Sequence, residues 1–142
     1  MKLSAKLICY HLQKSFSMHT SRLDTFPTLS CPSCFEKSMP LQDGRVYLIT
    51  DPDFQPTFHH PKNILFLMIG KIYQNYELTQ PNMCIIPEDI PVNIVFNRIQ
   101  DIFILYDQWN QSLMDSRLRN ASIQELLDLT ASIIPNPMML IG

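Results

Sequence analysis

From residue 92 to residue 120 the chain contains neither proline nor glycine, although the sequence as a whole carries 11 prolines. Apolar side chains recur along this stretch at Val92, Val95, Phe96, Ile99, Ile102, Phe103, Tyr106, Trp109 and Leu113. That is the i, i+3, i+4, i+7 spacing of one helical face. Pro91 suits the first turn of a helix, where its missing N–H has no intrahelical partner, and Asp89 is placed to cap it. The pattern predicts a single helix of about 30 residues, roughly 45 Å long. A domain within a chain of 142 residues does not need so long a helix for its own core.

Two packings fit the stripe. All of it can lie on the chain's own sheet, or part of it can dock on the same helix of a second chain. The heptad set Val92, Ile99, Tyr106 and Leu113, with Phe96, Phe103 and Asn110 between, suits a helix–helix seam. Doubling at 95/96 and 102/103 makes the stripe wide enough to serve sheet and partner together. On the second packing the chain is a homodimer, with Ile99, Phe103, Tyr106 and Trp109 at its interface.

Three short apolar runs precede the helix: 45–50, straight after the turn signal Gln42-Asp43-Gly44, then 63–69, and 83–86, which stops at Pro87. Each is nearly continuous rather than alternating, the mark of strands buried on both faces. The expected fold is therefore α/β, a small mixed or parallel sheet with flanking helices. The 51–62 connection holds Pro52, Pro56 and Pro61 and cannot form a regular crossover helix. An irregular crossing or a 3₁₀ turn is expected there. At the N-terminus, Leu3, Leu7, Tyr10 or His11, and Lys14 predict a short amphipathic helix over 3–14. The pattern over 15–43 is weak. Thr25-Phe-Pro-Thr28 and Cys31-Pro-Ser-Cys34 read as irregular chain, with one short strand near 22–25.

Beyond the long helix, Ser122-Ile-Gln-Glu125 forms a capping box. It opens a second helix with Leu126, Leu127, Leu129 and Ile133 on its apolar side, stopped by Pro135 and Pro137. Residues 138–141 read as a strand in which the chain ends. The organisation expected is an α/β domain over 1–88, a connecting and dimerisation helix over 89–120, and the truncated start of a second domain over 121–142.

Charge and composition exclude several classes. The formal net charge is −2, and the 11 basic residues are dispersed between Lys2 and Arg119, so no electrostatic footprint for nucleic acid is present. The longest clean apolar run is the six residues 64–69, against about 20 for a membrane span. No cleavable signal sequence is recognisable, and four cysteines are too few for a disulfide scaffold, so a cytoplasmic protein without a membrane partner is expected. Three glycines leave no room for a phosphate-cradling loop, and no nucleophile motif accompanies the histidines. A non-enzymatic chain without a cofactor is expected.

The remaining candidates for chemistry are few. Asp51-Pro52-Asp53 places two carboxylates at the C-terminal end of a strand, where α/β sheets commonly bind ligands, although Asp-Pro equally starts a turn. With Tyr47 on that strand and His59 and His60 in the following loop, these five residues form the candidate ligand set. Cys31 and Cys34 supply half of a structural zinc site, which His59 and His60 complete only if the fold brings that loop across. The alternative to a binding protein is thus a small zinc- or thiol-dependent protein built on Cys31, Cys34, His59 and His60. The bland reading of the pair is a loop with incidental thiols.

The segments Val95-Phe-Asn-Arg-Ile-Gln-Asp-Ile-Phe-Ile-Leu-Tyr-Asp-Gln-Trp109, Ser122-Ile-Gln-Glu-Leu-Leu-Asp-Leu129 and Asn136-Pro-Met-Met-Leu-Ile141 together resemble a stretch of bacterial PucR-type transcriptional regulators. The resemblance covers the whole chain, but only 92–141 carries it with any specificity. It implies an N-terminal α/β domain that senses a small-molecule effector, a long connecting helix, and the opening of a GAF- or PAS-like sensor domain. It also implies a helix-turn-helix that lies beyond these residues and alone contacts DNA. No catalytic residue is implied.

Overall fold

The computed structural model describes residues 1–54 and 63–118, with side chains through residue 115. Its centre is a five-stranded sheet of β1 (His19–Thr20), β2 (Cys31–Cys34), β3 (Arg45–Ile49), β4 (Ile64–Ile69) and β5 (Met83–Ile86), in the order β1-β5-β4-β3-β2. Strands β2 to β5 are parallel and lie side by side in chain order, while β1 closes the far edge antiparallel to β5. The fold is mixed α/β, as expected, and the three apolar runs become β3, β4 and β5 with one residue trimmed or none. β4, at the centre, buries all six of its side chains.

Strand alternation divides the apolar residues between two cores. Val46, Leu48, Leu65, Leu67, Ile69, Cys84 and Ile86 point to one face, where α1 (Ala5–Leu12) and α2 (Val92–Leu118) pack. Tyr47, Ile49, Ile64, Phe66, Met68, Met83 and Ile85 point to the other. No described helix covers that second face. The connections between parallel strands cover it instead, through Phe35 and Leu41 after β2, Phe54 after β3, and Tyr73, Tyr76 and Leu78 after β4. A single 3₁₀ turn, Lys71–Tyr73, is the only helical piece in these connections among the described residues.

Four local expectations are corrected. The N-terminal helix starts at Ala5, not Leu3, because Leu3 exchanges both backbone hydrogen bonds with Leu29 (2.8 and 2.9 Å) and Ser4 caps the helix, its Oγ accepting from Leu7 N. The strand expected near 22–25 does not form there; the edge strand is β1, His19–Thr20. Residues 22–24 are held instead by Asn82, whose N–H donates to Arg22 O and whose Oδ1 accepts from Asp24 N, both at 2.8 Å. Cys31-Pro-Ser-Cys34 is strand β2 rather than irregular chain. It lies at an edge, where a strand bonds to one neighbour through every second residue and a proline is tolerated. Asp89 does not open the long helix, which begins at Val92. Its Oδ1 accepts the Lys71 N–H at 3.0 Å and ties the β5–α2 connection to the 3₁₀ turn.

The long helix spans 27 residues, about 40 Å. It packs against β2 and α1. No described helix is long and apolar enough to cross a membrane. The crossing over 55–62 and the capping box, second helix and terminal strand expected over 121–141 lie outside the described residues.

Candidate ligand cleft

The parallel register sets Cys31 beside Arg45 and Ser33 beside Tyr47. Arg45 and Tyr47 are two apart on one strand and share a face with Ser33, the face that the loops cover. Residues 35–44 then fold back over this edge and enclose a cleft of about 220 Å³, with Phe35, Leu41 and Met39 as apolar wall and Arg45, Tyr47 and Gln42 as polar wall. The return is closed by Gly44, at φ +79°, whose N–H donates to Asn63 O and whose carbonyl accepts from Ser30 N, both at 2.7 Å. A Cβ at Gly44 would stand 3.2 Å from Thr28 O, in a backbone region that side chains rarely adopt.

Arg45 Nη1 donates to Ser33 Oγ at 2.8 Å. The guanidinium is half-buried and has no carboxylate partner among the described residues, whose ion pair joins the N-terminal ammonium to Asp107 at 2.8 Å. Tyr47 is 6% exposed, and its Oη accepts the Gln42 N–H at 2.8 Å. Glu36, exposed, stands in the lining without pairing with Arg45. The cleft therefore offers a guanidinium with no directly paired carboxylate, the exposed Glu36 carboxylate, neutral polar groups and an apolar wall.

Of the three described residues expected to bind a ligand, Tyr47 lines this cleft and Asp51 and Asp53 do not. Asp51 lies past the opposite end of β3 from Arg45. Its Oδ1 accepts the Asp53 N–H at 2.9 Å and its carbonyl accepts the Tyr73 hydroxyl at 2.5 Å. Asp51 and Asp53 thus build a turn at the C-terminal end of β3, away from this cleft. Burial first, then the Asp51 charge and Tyr76, push the Tyr73 phenol up to about 12. His59 and His60 lie outside the described residues. Arg45, Ser33 and Gln42 were not anticipated; their one sequence signal is Arg45 opening an otherwise apolar strand.

Cys31 and Cys34 are free thiols three positions apart on a strand, so their side chains leave opposite faces roughly 10 Å apart. That spacing neither closes a disulfide nor presents two ligands to one metal. No group of three potential metal ligands forms among the described residues. The closer thiol pair is Cys9 of α1 and Cys84 of β5, with Sγ atoms 3.7 Å apart and both side chains buried. The contact with Cys9, followed by burial and the Cys9 charge, raises the Cys84 thiol well above its ordinary range and keeps it protonated and inert.

The four residues expected at a dimer interface belong to the chain's own core. Ile99 and Tyr106 are fully buried, and Phe103 and Trp109 are nearly so, against the sheet and α1. The wide stripe is consumed by the sheet because α2 is the main cover of that face. Tyr106 Oη shares a 2.6 Å hydrogen bond with His11 Nε2 of α1. The exposed side of α2 carries Ile94, Ile104 and Leu105 instead. Ile94 and Leu105 are three turns apart on one line, and Ile104 lies beside them.

The class these features define is a mixed α/β module with helices on one sheet face, a cleft on the other and a long C-terminal helix. Comparison of the chain with protein-family models, with curated proteins and with solved structures finds no match.

Proposed function

We propose that the chain is the signal-sensing and dimerisation region of a bacterial, cytoplasmic transcription regulator of the PucR type, in which DNA is contacted only by a domain outside these residues. The observation that carries this reading is the route from cleft to helix. β2 presents Ser33 to the cleft and lies against α2, which leaves Ile94, Ile104 and Leu105 exposed on the side away from the core. An effector in the cleft shifts the regulator only through different affinities for two arrangements of β2 and α2. The exposed line of α2 is the homodimer seam, in place of the buried residues expected from the sequence.

The test fuses residues 1–142 to a repressor DNA-binding domain that acts only as a dimer. Repression of a reporter is expected with the native chain and is lost with Ile104→Glu/Leu105→Glu, whose charges are left unpaired at the seam. In sedimentation equilibrium the double variant raises the dimer dissociation constant about tenfold or more, equivalent to about 1.4 kcal/mol or more. A native chain that stays monomeric at high micromolar concentration, or that fails to restore repression, overturns the reading.

A further inference from the structure

We propose that the cleft beside β2 and β3 is a binding site for a small organic monocarboxylate with a flat apolar body. Its use as an effector rests on the sensing role above; the binding itself does not. Arg45 spends one N–H on Ser33 and keeps the rest of its guanidinium fork unpartnered within the described residues. A half-buried fork without a counter-ion matches a carboxylate, which it can hold through two parallel bonds. Tyr47, almost wholly buried, accepts from Gln42 and has its own hydroxyl proton free to donate.

The charge count selects the class of anion. The one guanidinium in the lining can pair with one negative charge. Glu36 in the lining opposes a second, which disfavours a phosphate or a dicarboxylate. Phe35, Leu41 and Met39 provide the apolar wall for the body of the ligand. A volume of about 220 Å³ suits a molecule of about ten heavy atoms. The site has no local sequence signature because it needs β2, which reads as irregular chain, to bring Ser33 beside Tyr47.

Benzoate and its uncharged analogue benzamide are suitable probes, titrated into the full chain with calorimetry and amide chemical shifts as readouts. Saturable benzoate binding in the millimolar range is expected, with shifts centred on residues 33–47 and benzamide at least about tenfold weaker. Arg45→Gln should weaken benzoate about tenfold or more, Arg45→Lys less, and Glu36→Gln should strengthen it about twofold. Circular dichroism establishes that each variant is folded, and Arg45→Lys keeps the test open if Arg45→Gln is not. Equal binding of benzoate and benzamide, unchanged affinity in the folded Arg45 variants, or no saturation by about 20 mM overturns the assignment. Failure here leaves the dimer and reporter tests standing. A monomeric chain that binds benzoate removes the regulator reading and keeps the site.

Discussion

The two faces of the sheet are buried by different means. On one, α1 and α2 lay continuous apolar stripes over Val46, Leu65, Leu67 and Cys84, and Tyr106 is sealed completely beneath the helix pair. On the other, Tyr47, Phe66, Met68 and Ile85 are covered by side chains reaching in from three loops. Helices satisfy their own backbone and bring only side chains to the core. Loops must also place their peptide groups, and here they do so through backbone turns together with side-chain contacts such as Gln42 N–H to Tyr47 Oη and Tyr73 Oη to the Asp51 carbonyl. A face assembled in that way leaves gaps, and the cleft is one of them. Stability is expected to concentrate on the helical face and binding on the looped one.

The largest effect that tests this contrast comes from truncating one residue on each face. Tyr106→Ala removes a fully buried ring and leaves His11 without its partner, an expected loss of about 4 kcal/mol. Leu41→Ala, only partly buried in the loop cover, should cost about 1 kcal/mol. Urea denaturation of both variants measures the pair, and equal losses would break the comparison.

A second test falls where the looped face meets the β1 edge. Asn82 sits at φ 58°, donates through Nδ2 to Asp24 Oδ2 at 2.8 Å, and accepts the Asp24 N–H. Its amide thus performs for residues 22–24 what strand pairing would otherwise do. Asn82→Ala combines an unfavourable backbone conformation with lost hydrogen bonds and is expected to cost about 2 kcal/mol. Asn82→Gly, which relieves only the backbone, should recover part of that loss in the same denaturation series. Smaller still, Tyr73→Phe removes the single hydroxyl contact to Asp51 and should cost about 1 kcal/mol.

The contrast also explains what could be read from the sequence. The central strands were legible because continuous apolar runs such as 64–69 have one favoured use, and α2 because its period is sustained without proline or glycine. What the long helix packs against was not legible. A stripe wide enough for a sheet and a partner does not say which takes it, and the short supply of other helices on that face decides the matter. β1 and β2 were missed because edge strands of two and four residues carry almost no periodic signal, and β2 contains a proline. The cleft was missed with them. Ser33 and Arg45 are twelve positions apart and meet only through parallel pairing, a contact no local pattern records.

The smallest expected effect is a pH dependence confined to the helical face. Burial first, and the nearby Lys14 charge second, hold the His11 imidazole below its ordinary value of 6.5. The same helix pair pushes the Tyr106 phenol up to about 12, through burial and then Tyr10, so Tyr106 stays neutral throughout the range in question. The folded chain consequently binds fewer protons at His11 than the unfolded chain does just below pH 6.5, and stability must fall as pH drops through that window. The loss levels off once the pH is below the lowered value in the folded state. Because the ring is only half-buried, solvent screening keeps the change below that of Tyr73→Phe. Urea midpoints measured from pH 7.5 down to about 5 should show this decline in the native chain. The decline should be shallower in His11→Gln, whose side chain does not titrate. A stability that rises on acidification over this range would mean that His11 is charged against Tyr106, and that the helical face is not the dry, pre-paired surface described above.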